Sequence, residues 1–139
     1  MEIKLNEFAQ EVHENAVAHG WWDEKRSFPE VIALVHSELS EALEEYRHKQ
    51  EQIWYACEED QDCPSICNPQ DEHDCLNYGK EATCKYRNPK PEGLPVELAD
   101  AILRILDYCA CAGIDIEEAL KLKHAYNKGR PYRHGGKKC

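Results

Sequence analysis

The sequence predicts an all-α fold built like a four-helix bundle, with an irregular cysteine-rich insert between the second and third helices. Three observations carry that expectation. Four segments place apolar residues at helical spacing. Glycines stand where three of those segments end, at Gly20, Gly113 and Gly129. No stretch alternates apolar and polar residues long enough to argue a strand of weight.

The first helix spans about 4–19, with Leu5, Phe8, Ala9, Val12 and Ala16 along one side. Gly20 stops it, and Trp21-Trp22-Asp23 connects onward. Ser27 before Phe28-Pro29-Glu30 has the form of a cap, with proline in the first turn and Glu at the third helical position. This second helix runs to Tyr46 or Lys49. From 50 to 92, Cys57, Cys63, Cys67, Cys75 and Cys84 fall among Pro, Asn, Asp and Gly without periodicity. Pro91 and Pro95 bracket the start of a third helix, about 95–112. Asp115 caps a fourth, which continues through Lys128. A basic tail, 129–139, follows. One domain, 1–139, accommodates all of this.

Charge narrows the function classes. There are 27 Asp+Glu against 17 Lys+Arg, a formal net charge of -10. Nucleic-acid affinity rests on Lys and Arg meeting phosphates, so DNA and RNA are poor partners for such a chain. A small phosphate ligand remains compatible if a metal ion bridges the like charges. The first residues lack the apolar core of a secretory signal, and no stretch approaches the ~20 apolar residues of a membrane span. A cytoplasmic location without a membrane partner is the expectation. In a reducing compartment the eight cysteines read as thiols or metal ligands before disulfides.

Two acidic pairs are the most informative feature. Glu38-Leu-Ser-Glu41 lies in the second helix and Glu97-Leu-Ala-Asp100 in the third. Residues at i and i+3 project from one face, so each helix offers two carboxylates to a shared point. On a helical wheel Glu38 falls between Leu34 and Val31, within the arc that Val31, Val35, Leu39, Ala42 and Tyr46 mark as apolar. The third helix is apolar around most of its circumference, with a narrow polar stripe of Glu97, Asp100, Arg104 and Asp107. Ionised carboxylates near a core are costly unless a cation or a pKa shift relieves them. An oxygen-only set suits Mg²⁺, or Mn²⁺ in its place. The competing reading is a solvated acidic face; pattern alone leaves both open.

Other residues offer weaker signals. Lys123, Asn127 and Arg130 lie along or just beyond the last helical turns, where they can meet phosphate oxygens or simply complement the helix dipole. One of Trp21 and Trp22 can stack on a base, or both can be core or interface aromatics. Cys57, Cys63, Cys67, Cys75 and Cys84, with His73, can supply ligands for Zn²⁺ or an iron–sulfur cluster, although their spacings differ from the paired C-x2-C of common zinc ribbons. Disulfides and an unstructured thiol-rich loop compete with that reading. His36 belongs to the polar side of its helix, Cys109 to packing, and Cys139 is an incidental thiol.

With both acidic motifs and the tail in view, the chain resembles the MazG-like members of the all-α nucleoside triphosphate pyrophosphohydrolases. That superfamily carries E-x-x-E on one helix and E-x-x-D on a later one. The matching segments are Ser37-Glu38-Leu39-Ser40-Glu41-Ala42-Leu43 and Val96-Glu97-Leu98-Ala99-Asp100-Ala101-Ile102, followed by Tyr126-Asn127-Lys128-Gly129-Arg130. The likeness covers about 1–48 and 94–134 and leaves out the insert. It implies hydrolysis of an ordinary or aberrant nucleoside triphosphate, ribo or deoxy, to the monophosphate and pyrophosphate. It implies Mg²⁺ on Glu38, Glu41, Glu97 and Asp100, with Glu41, ahead of Glu38, orienting or deprotonating the attacking water. Lys123 and Arg130 would meet the leaving pyrophosphate, Asn127 a phosphate or ribose oxygen, and Trp22 the base. Family members commonly form homodimers or homotetramers. Two further readings remain. One is a non-enzymatic helical module binding metal or nucleotide, with the insert recruiting a partner. The other is an enzyme of histidine synthesis that shares helical acidic motifs, although the surrounding sequence sits closer to the MazG-like group.

Overall fold

The computed structural model describes residues 4–56 and 90–132. Its elements, in chain order, are α1 (Leu5–Ala18), α2 (Phe28–Arg47), β1 (Trp54–Ala56), β2 (Lys90–Glu92), α3 (Leu94–Cys111) and α4 (Ile116–Lys128). The described residues are mostly helical, as the periodicity predicts. The departure is a short antiparallel ribbon, in which Trp54 pairs with Glu92, Tyr55 with Pro91 and Ala56 with Lys90. The five insert cysteines and His73 lie outside the described residues.

The helix ends follow local rules. After α1, Gly20 N–H donates to Val17 O and Trp21 N–H to Ala16 O; after α3, Gly113 N–H donates to Ala110 O and Ile114 N–H to Cys109 O. Both are Schellman closures, with a glycine at positive φ. The end of α2 has the same pattern, Lys49 N–H to Tyr46 O and Gln50 N–H to Glu45 O. There the left-handed position is filled by Lys49, at φ 62°. A Cβ in that conformation crowds the following carbonyl, at a cost of about 1 kcal/mol.

The chain divides into two compact units, residues 28–102 and residues 1–27 with 103–139. In the first, Val31, Val35 and Ala42 of α2 and Ala101 of α3 are buried, together with Glu38 and Glu97. The ribbon is tied to α2 by the Trp54 indole N–H, which donates to Glu45 Oε2 at 3.1 Å. Leu94 N–H donates to Gln50 O at 3.0 Å, fastening the start of α3 to the chain just beyond α2. Gly93, at φ 106°, lies between: a Cβ there would stand 2.2 Å from the Gln52 carbonyl oxygen. Only glycine satisfies both the backbone angle and the close approach.

In the second unit Ala9, Leu106 and Cys109 are buried. Helices α1 and α4 are joined reciprocally at their N-termini. Asn6 Oδ1 accepts from Ile116 N–H at 3.1 Å, while Asn6 N–H donates to Glu117 Oε1 at 3.0 Å. Asn6 Nδ2 also donates to Asp115 Oδ1 at 2.8 Å. That oxygen caps α4 through Glu118 N–H. The Asn6 bond, with the Glu118 backbone bond behind it, holds the Asp115 carboxyl below its ordinary range.

Two substitutions test these backbone assignments by chemical denaturation. Lys49→Gly is expected to raise stability by about 1 kcal/mol, because it removes left-handed strain at a helix end already closed by hydrogen bonds. Gly93→Ala is expected to lower stability by more than 1 kcal/mol, roughly the ordinary effect of a core or backbone lesion.

Candidate metal centre

Glu38 and Glu41 come from successive turns of α2, and Glu97 from the first turn of α3. One carboxylate oxygen of each lies within 4.8 Å of the others. Glu38 is 6% exposed and Glu97 5%, whereas Glu41 is exposed. Glu38 thus sits where the wheel puts it, on the inward arc of α2. The inward side of α3 is the polar stripe at Glu97, and Leu98 and Ile102 are left substantially exposed. At Glu97, then, the acidic stripe of α3 is withdrawn from water.

The energetics favour a counter-charge. Two ionised carboxylates no more than 4.8 Å apart repel by at least about 3 kcal/mol at an effective dielectric near 20. Burial, followed by the charges of Glu41, Glu92, Asp100 and Glu38, pushes the Glu97 carboxyl from 4.5 up to about 7. The positive end of the α3 dipole favours a carboxylate in the first turn by about 0.3–1 kcal/mol. The net rise shows that desolvation and like charge outweigh it. Three oxygen donors meeting at one point, two of them withdrawn from water, fit a hard dication such as Mg²⁺.

Asp100, the fourth ligand expected, is half-buried, and its charge acts on Glu97, but it is not one of the three carboxylates that converge. Glu41 is held by Ser37, whose hydroxyl donates to Oε1 at 3.4 Å. Glu92 of β2 adds to the acidic field and pairs with Lys90 Nζ at 2.7 Å.

The residues expected to meet substrate belong to the other unit. Lys123 and Asn127 are exposed on α4, and Arg130 follows it. Lys123 and Arg130 both lie over the Tyr126 ring, 5.3 and 5.8 Å from its centroid. Trp22 is half-buried, and its indole N–H donates to both oxygens of Asp107, at 2.9 and 3.1 Å. His13 Nδ1 meets the same Asp107 Oδ1 at 2.7 Å, with its ring edge-on to Trp22. Trp21 is 48% exposed and lies beneath the guanidinium groups of Arg26 and Arg104. This His13–Asp107–Trp22 cluster was not foreseen in sequence; its only trace there is Asp107 in the polar stripe of α3. His36 is exposed, and Cys109 is buried, its thiol pushed up by desolvation. Among the described residues no helix is long and apolar enough to cross a membrane.

No protein-family model, curated protein or solved structure matches the chain.

The raised Glu97 pKa sets a pH dependence. The folded state holds this proton more tightly than the unfolded chain, so its contribution to stability is complete below pH 4.5 and is lost as pH rises through about 7. The loss amounts to about 3 kcal/mol. In urea titrations with chelator, Glu97→Gln should flatten the fall in stability between pH 5 and 8. Mg²⁺ should restore stability to the unsubstituted protein at pH 8.

Proposed function

We propose that the chain is a Mg²⁺-dependent nucleoside triphosphate pyrophosphohydrolase of the MazG-like kind. The observation that supports this reading is the convergence of Glu38, Glu41 and Glu97, two of them buried, on helices that carry E-x-x-E and E-x-x-D in the expected order. The reaction transfers a water oxygen to phosphorus, breaks the α–β phosphoanhydride bond and releases the monophosphate and pyrophosphate.

When bound, the dication would acidify water and offset charge on the phosphoryl oxygens. Glu38 and Glu97, withdrawn from solvent, would serve as its anionic ligands, with Asp100 reinforcing the field beside Glu97. Glu41 reaches solvent, which suits it to orient the attacking water and accept its proton. On the resemblance alone, Lys123 and Arg130 would neutralise leaving-group oxygens, and Asn127 would meet a phosphate or ribose oxygen. Trp22 remains the residue the sequence reading would assign to a base. Exposed Ile32, Leu39 and Leu43 on α2, with Leu98 and Ile102 on α3, offer apolar surface for a homodimer or homotetramer.

Pyrophosphate release from a panel of ribo- and deoxynucleoside triphosphates, with Mg²⁺ and with chelator, tests the reading. Turnover is expected with Mg²⁺ or Mn²⁺ and not without them. Glu38→Gln should reduce kcat by about a hundredfold or more, with helicity preserved. Folded, Mg²⁺-loaded protein that releases pyrophosphate from none of the panel would leave the non-enzymatic module as the better account.

A further inference from the structure

Charge balance at the acidic centre is incomplete with a dication alone. Three ionised carboxylates and one dication leave a net negative charge, and a triphosphate adds several more. A phosphate group approaching that point requires a cation from the protein.

The ribbon supplies one within the same unit as the triad. Lys90 and Glu92 are two residues apart on β2, so both project from one face of the strand. Their side chains meet at 2.7 Å, with Glu92 19% exposed and Lys90 59% exposed. The strand cannot drift from the centre. Its partner residue Trp54 is bonded to Glu45, one turn beyond Glu41 on α2. Its C-terminal end passes through Gly93, whose carbonyl accepts from Val96 N–H and Glu97 N–H as α3 begins. Both helices that carry the triad therefore fix the strand that carries Lys90. The hydrogen bond to Glu92 raises the Lys90 pKa, and the charges of Glu97 and Asp100 raise it further. The field of the acidic centre thus reaches this ammonium.

We propose that Lys90 is a phosphate-binding residue of the acidic centre, held in place by Glu92 and presenting its ammonium to the nucleotide's phosphate chain. This rests on the pyrophosphohydrolase reading above. An ammonium has three donors. Among the described residues Glu92 takes one direction, and the exposed head can turn the others to a phosphate oxygen. Glu92 thereby acts as a positioning residue.

Equilibrium binding of inorganic pyrophosphate at fixed Mg²⁺, alongside binding of Mg²⁺ alone, tests the assignment. Lys90→Met is expected to weaken pyrophosphate binding by about tenfold, the loss of one charge-assisted hydrogen bond. Lys90→Arg should recover most of it. Binding of Mg²⁺ alone should be unchanged or tighter in Lys90→Met, since a neighbouring positive charge is gone. Glu92→Gln keeps the ammonium but loosens its position, and should weaken pyrophosphate binding by about two- to threefold, less than Lys90→Met does. Unchanged pyrophosphate affinity in Lys90→Met overturns the assignment and leaves the hydrolase reading standing. Unsubstituted protein that binds Mg²⁺ but neither pyrophosphate nor any nucleotide overturns both.

Discussion

Two glutamates, Glu38 and Glu97, are held almost out of water with a third, Glu41, close beside them. Packing that concentrates like charge is a poor way to stabilise a small domain. The local structure nevertheless repeats the commitment in several places. The α2 wheel turns Glu38 inward among Val31, Val35 and Ala42. The first turn of α3 buries Glu97, while Leu98 and Ile102, better suited to a core, remain substantially exposed. Gly93 accepts a backbone approach that no other residue tolerates, and by doing so sets where α3 starts.

The same helix carries a second polar assignment. Further along its stripe, Asp107 gathers His13 and Trp22, and Arg104 lies over Trp21. The carboxylate of Asp107 is satisfied by neighbouring ring N–H and nitrogen partners, which is how a half-buried charge is ordinarily tolerated. Glu97, by contrast, is surrounded by further negative groups. One stripe therefore holds an acid stabilised by its neighbours and an acid destabilised by them. The second kind is the one associated with sites that bind or react.

Much of this was legible in the residues. The helix limits follow from Gly20, Pro29, Pro95, Gly113 and Asp115, because caps, stops and imino rings act locally. Glu38 could be placed inward because α2 has a clear apolar arc. The rotation of α3 was not legible, since a helix apolar on nearly every side does not declare which side it buries. The ribbon was also missed. Trp54–Ala56 and Lys90–Glu92 are three residues each, one of them containing proline, and their pairing joins positions far apart in the chain. Lys90 and Glu92 were hidden for the same reason, since only that pairing and the turn at Gly93 bring them to the acidic centre. Asp100 was expected to converge with the other three acids; α3 gives it an influence on Glu97 without a place in the triad.

The ribbon bears on how this framework meets the rest of its chain. Because Ala56 is already hydrogen-bonded opposite Lys90, the connection between them begins and finishes at neighbouring points. The ribbon thus joins the helices to the intervening segment through one pair of adjacent strands, so that departure and re-entry of the chain share a single anchor.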